Sequence, residues 1–119
     1  MYLQFTRRVL GPLASQRLKA HQVTQTIRGP SSRIVKAFLE QTTATGLPMI
    51  VWLDSDLAGM ARIEAIEAKK WSELTEEDAV RGGFPDLIDL KKALVRAGYR
   101  FKPLDSYPLY RVRFGWFQT

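Results

Sequence analysis

Apolar positions recur along this chain in two periods. Tyr2-Leu3-Gln4-Phe5 is short and rich in β-prone residues, and reads as a first strand. Gly11-Pro12 interrupts the chain, and Leu10, Ala14 and Leu18 then recur at every fourth residue, as on one face of a helix. Pro is well placed at a first helical position, so this helix is predicted over 12–19. From Thr24 to Arg28 the period falls to two. Thr24, Thr26 and Arg28 share one side and Gln25 and Ile27 the other, as in a strand with one open face. Gly29-Pro30 ends it. Ser31 or Ser32 can cap a helix over 31–44 that groups Ile34, Val35, Phe38 and Leu39. Pro48–Leu53 is a continuous apolar run of strand length. Asp54-Ser55-Asp56 with Ala58-Gly59 reads as a turn. Met60 to Lys69 then alternates, Ala61, Ile63 and Ala65 against Arg62, Glu64 and Ile66, and completes a hairpin.

The second half opens on a helix-start signal. In Leu74-Thr75-Glu76-Glu77-Asp78-Ala79, Thr75 caps, Asp78 reaches back, and Leu74 staples onto Ala79, giving a short helix over 75–81 that Gly82-Gly83 stops. Capping accounts for these carboxylates, which are not assigned to catalysis. A second helix is predicted over 86–97, with Leu87, Leu90 and Leu94 inside and Lys91, Lys92 and Arg96 outside. Pro103 and Pro108 bracket a loop holding Asp105 and Tyr107. In the closing strand, 109–117, Leu109, Arg111, Arg113 and Gly115 alternate with Tyr110, Val112, Phe114 and Trp116, so one face is basic and the other aromatic. With no internal repeat, low-complexity tract or linker, residues 1–119 are expected to form a single domain.

Composition narrows the chemistry. There is no cysteine and only one histidine, His21, which excludes thiolate and multi-histidine metal sites. Asp54 and Asp56 at a turn lack the further ligands that a hard cation requires. The expectation is therefore no metal and no cofactor. No apolar run reaches the roughly 18 residues of a membrane span. The first residues lack a signal pattern, so the default address is the cytoplasm. Net charge is +6, unevenly spread. Residues 1–52 hold seven basic groups against Glu40 alone, 53–90 hold four against ten acids, and 91–119 hold seven against Asp105 alone. If the outer segments meet in the fold, they make one positive face suited to a polyanion. Within the first of them, Thr24, Thr26 and Arg28 form a row of donors in steps of about 7 Å, suited to a phosphate, a carboxylate or a base edge.

Three passages resemble the ASCH domain, a family of the PUA-like superfamily, and with the order of elements the resemblance spans the chain. They are Val23-Thr24-Gln25-Thr26-Ile27-Arg28, the block Trp71-Ser72-Glu73-Leu74-Thr75-Glu76-Glu77-Asp78-Ala79 followed by Gly83-Phe84, and Leu109-Tyr110-Arg111-Val112-Arg113-Phe114. The resemblance implies an α+β fold, a PUA-like small β-barrel with helices packed around it, and a cleft beneath the signature strand. It also implies RNA binding, hydrolysis of acetylated cytidine, or ribonuclease activity as the functions to weigh. The hydrolase members use a Lys, a Thr and a Glu. Here the Thr falls on Thr26 and the neighbouring Arg on Arg28, but the Lys falls on Val23, the signature Gly on His21 and the Glu on Gly82. A threonine nucleophile needs a base, which neither Val23 nor Gly82 supplies.

The leading expectation is an RNA or nucleotide binder. Thr24, Thr26 and Arg28 would line the cleft, Lys19, His21, Arg111 and Arg113 would meet phosphates, and Trp71 and Tyr107 would stack a base. The alternatives are a hydrolase acting on a modified nucleoside or on RNA, with Thr26 as its catalytic residue, and a protein-interaction module of coactivator type.

Overall fold

The computed structural model describes residues 2–40, 46, 48–99 and 108–117. The strands β1 (Tyr2–Phe5), β2 (Gln25–Arg28), β3 (Pro48–Leu53), β4 (Asp56–Lys69) and β5 (Leu109–Trp116) form one curled five-stranded sheet in the order β1-β3-β4-β5-β2. Only β1 and β3 run parallel, and every other neighbour is antiparallel. The helices are α1 (Arg7–Lys19), α2 (Arg33–Leu39), α3 (Glu76–Arg81) and α4 (Leu87–Arg96), with a 3₁₀ turn at Trp71–Glu73. The fold is α+β, as expected, and the signature strand lies beside the closing strand. The sheet is a half-barrel, with β1 and β2 as its two edges.

The inner face follows from the register. Leu3 opposes Val51, Phe5 opposes Leu53, Met49 opposes Ala61 and Ile63 opposes Phe114, and all eight are buried. Thr26 opposes Val112 and Arg28 opposes Tyr110, so both belong to this same face. Strict alternation in β4 would turn Ile66 outward with Glu64. Instead the register on β5 passes from Ile63–Phe114 directly to Ala65–Arg113, leaving Glu64 with no residue opposite. One inserted residue reverses the side assignment beyond it, and Ile66 returns to the core opposite Val112. The β3–β4 turn is also tighter than the sequence suggests. Asp54 adopts the left-handed conformation with φ 53°, and β4 already begins at Asp56.

Helix α1 begins earlier than predicted, at Arg7. Thr6 caps its first turn by accepting from Val9 N–H, and Gly11 (φ 77°) then breaks the helix ahead of Pro12. The residues from Pro12 onward are the helix read from the sequence. At this break Arg96 donates to the Val9 carbonyl from Nε (3.1 Å) and Nη2 (2.6 Å). Arg96 is therefore a clasp between α1 and α4 rather than a free outer-face cation. Helix α2 ends at Leu39, earlier than expected; the remainder of that prediction at 41–44, and the loop holding Asp105 and Tyr107, lie outside the described residues.

Gly83 sets the join between α3 and the rest. It has φ +92°, and a Cβ there would come 2.9 Å from Val23 Cγ2 and 3.4 Å from Ala14. Gly83→Ala is expected to destabilise the fold by at least about 2 kcal/mol, combining left-handed strain with core crowding. Urea unfolding of the variant measures this, and a change under 0.5 kcal/mol would contradict the assigned packing.

Candidate functional site

The two free sheet edges face a cleft of about 300 Å³. Gln4 and Phe5 from β1 line one side and Gln25–Arg28 from β2 the other; Val9 and Leu10 of α1 and Leu90 and Leu94 of α4 form much of the apolar wall. Phe84, Asp78, Gly82 and Tyr99 complete it. Burial of one side of β2 beneath the helices is why a strand of such polar composition is stable here. Gln25 and Ile27 are almost fully buried, while Thr26 and Arg28 are half-buried toward the cleft.

Arg28 is held at three points. Its Nη2 donates to the Gln4 carbonyl on the opposite edge (2.8 Å), its Nε donates to Thr26 Oγ1 (3.3 Å), and its guanidinium lies 4.7 Å above the centre of the Phe5 ring. Among the described residues no carboxylate comes within ion-pair distance of it. Burial accordingly pulls its pKa below the ordinary arginine value. The neighbouring Tyr99 hydroxyl accepts from the Gly29 amide (2.8 Å) and pins the exit of β2.

On the other face of β2 a buried polar network ties the strand to α3. Asp78 is 3% exposed. It accepts from Gln25 Nε2 (2.7 Å), Arg111 Nη2 (2.9 Å) and its own cap partner, the Thr75 amide (2.9 Å). Arg111 Nε lies 2.8 Å from Asp78 Oδ1 but is poorly aligned, so that contact is ionic. Gln25 Oε1 in turn accepts from Arg113 Nε at 3.3 Å. Burial on its own would raise the Asp78 carboxyl, but the bonds from Arg111, Thr75 and Gln25 outweigh it and hold the group below the usual carboxylate range.

No family model matches the chain, and no curated protein matches it by sequence. Solved structures do match. An ASCH domain from Lactobacillus crispatus superposes with a TM-score of 0.65 at 12% identity, covering 97% of this chain and 80% of that one. The chain has the ASCH fold. A protein of Enterococcus faecalis assigned to DUF984 gives 0.60 at 18% identity, over 92% of this chain and 70% of that one. A hypothetical protein gives 0.59 at 12% identity, over 98% and 100%.

Within this ASCH fold the residues singled out from the sequence divide into separate groups. Thr26 and Arg28 line the cleft. Thr24 precedes β2 and is exposed, its amide bonded to the Arg81 carbonyl (2.9 Å) and its carbonyl to the Phe114 amide (3.0 Å). Lys19 lies at the end of α1, lining a separate hollow with Arg7 and Gln16. His21, at φ 60°, stacks on Trp116 with ring centres 4.1 Å apart, and its Nε2 is 2.7 Å from the Ala58 carbonyl. Trp71 packs against the core beneath Lys91. Arg111 is buried against Asp78, and Arg113 reaches Gln25 and Glu67. Tyr107 lies outside the described residues.

The sequence reading passed over Gln25 and Asp78 as site residues. The signal for Gln25 was present, because it shares a strand side with Ile27 and so must be buried with a partner. Asp78 looked complete as a cap, and only its second set of contacts reveals the additional role. Its depressed pKa makes a signed prediction. The stability that Asp78 contributes is fully present above its unfolded pKa of about 3.9 and is lost as pH falls through the lower folded value. Asp78→Asn should therefore lower stability at pH 7 while flattening its decline below about pH 4. Asp78→Ala, which leaves the buried Arg111 facing only the half-exposed Glu67 at 4.0 Å among the described residues, should cost about 3–5 kcal/mol. Chemical unfolding across pH 2–7 tests both, and an unchanged acid limb in Asp78→Asn would refute the assignment.

Proposed function

We propose that this chain binds RNA or a nucleotide, taking a single base into the cleft at the sheet seam, where Thr26 and Arg28 read its polar edge. The observation that carries this reading is Arg28. It is a half-buried guanidinium lining the cleft, oriented by Thr26, Gln4 and Phe5, with no carboxylate partner among the described residues. A buried cation without a counter-charge is costly unless a ligand supplies the acceptors. The cleft volume is at the small end for ligand sites, which suits one nucleoside rather than a strand, and its walls combine apolar surface with few polar groups. Phe84, Leu90 and Leu94 offer surface to a base, and a base displayed out of a single strand is the usual target of sequence-specific RNA recognition.

Lys19 lies away from the cleft, and Arg111 and Arg113 are engaged by Asp78, Gln25 and Glu67. Binding is therefore expected to depend weakly on salt. About two phosphate contacts on single-stranded RNA give a log–log slope of roughly −1.4. In a fluorescence-anisotropy titration at several salt concentrations, Arg28→Ala should weaken binding of short single-stranded RNAs at least tenfold. Lys92→Ala, an exposed position away from the cleft, should leave it unchanged. Equal losses in the two variants would exclude the cleft as the site.

The hydrolase alternative lacks the groups it needs. Val23 is fully buried against Gly83, where a lysine ammonium would be desolvated, and Gly82 contributes backbone to the cleft but no carboxylate. The purified protein should release no acetate from acetylated cytidine beyond the rate of a Thr26→Ala variant. A rate that depends on Thr26 would overturn this.

A further inference from the structure

A second hollow, of about 250 Å³, adjoins the cleft, and Gln4, Arg28 and Tyr99 line both. Its other walls are Tyr2, Leu3, Ser31, Ser32, Arg33 and Ile34. The two spaces differ in chemistry. The cleft is walled largely by apolar side chains, whereas the hollow carries two guanidiniums and two serine hydroxyls and, among the described residues, is lined by no acid.

Arginines elsewhere in the chain are mostly tied down by the protein. Arg7 meets Asp54 and Asp56, Arg81 meets Glu77, Arg111 meets Asp78 and Arg113 approaches Glu67, while Arg8, Arg17 and Arg96 donate to backbone carbonyls. Among the described residues, neither Arg28 nor Arg33 has an acidic partner. The Arg33 guanidinium instead lies 5.7 Å from the centre of the Tyr2 ring, which leaves its N–H edge for a ligand. The Ser32 side chain makes no capping bond to α2. Two forked cations and a hydroxyl around one small space are the donor set that holds a phosphate by several charge-assisted bonds.

We infer that this hollow is a phosphate subsite, so that the preferred ligand is a nucleoside monophosphate unit, free or within RNA, with its base in the cleft and its phosphate among Arg28, Ser32 and Arg33. The inference rests on the base-binding reading of the cleft. It adds the ligand class and makes Arg33 a recognition residue. Arg28, common to both spaces, contacts base and phosphate together. Arg33 contacts only the phosphate, since it does not line the cleft.

Isothermal titration with the four ribonucleosides, their 5′- and 3′-monophosphates and inorganic phosphate separates the two readings. The expected result is at least a tenfold gain for one monophosphate over its nucleoside. Arg33→Ala should abolish that gain, Ser32→Ala should reduce it, and both should leave nucleoside affinity intact. Equal affinity of nucleoside and monophosphate, or a gain that survives in Arg33→Ala, would overturn the subsite while leaving the cleft reading in place. Inorganic phosphate that binds through Arg33 without any nucleoside binding would support the subsite and reject the base cleft. Absence of binding by every probe would reject both.

Discussion

The sheet ends on two strands, β1 and β2, each paired on one side only, and the structure depends on how their free edges are joined. An edge strand exposes backbone donors and acceptors that must find water, a partner or a cover. Among the described residues the Arg28 guanidinium spans the gap. Arg28 reaches from β2 to the Gln4 carbonyl on β1 and rests on the Phe5 ring, while its neighbour Thr26 holds it at Nε. Continuous pairing of the two edges would have closed the barrel and left no cleft. This side-chain bridge leaves room on either side of itself. The two hollows that share Arg28 follow from that geometry.

The fold treats its buried cations in two ways. Arg111 is 9% exposed and is matched by Asp78, with Glu67 nearby, so its charge is answered inside the protein. That arrangement anchors α3 to the sheet and gives β2 a fixed backing through Gln25. Arg28, on the reverse side of the same strand, is answered by a carbonyl, a hydroxyl and a ring, with no carboxylate partner among the described residues. Neutral acceptors offset less of the desolvation of a charge than a carboxylate does. The first arginine is a structural tie, and the second lines the cleft. The strand that carries it is positioned by packing on both faces.

Rigidity around the site also depends on small departures from regular structure. The bulge at Glu64 turns Ile66 inward opposite Val112, which itself faces Thr26 across the ladder. The break at Gly11 kinks α1, and Arg96 donates to the Val9 carbonyl beside it, tying α4 to α1. Both helices supply cleft walls, so each of these local irregularities shapes the site at a distance from Arg28.

The strands Tyr2–Phe5, Pro48–Leu53 and Leu109–Trp116, the capping box at Thr75–Asp78 and the amphipathic α4 were all legible from the chain, because each rests on periods and caps within a few residues. The pairing of Thr26 with Arg28 on one strand side was legible for the same reason. Which way that side faces was not. Alternation says that two residues share a face, but whether that face looks to solvent or into the sheet is decided by the strand's place in the order β1-β3-β4-β5-β2. The same limit applies to charge. The sequence carries seven basic groups before residue 53 and seven after residue 90, yet cannot say which will be answered by the acids between them. Arg111 meets Asp78 across 33 residues and Arg28 meets the Gln4 carbonyl across 24. Contacts at such separations are set by how the elements pack, so only the tertiary structure distinguished the arginine that is matched by a buried carboxylate from the one that lines the cleft.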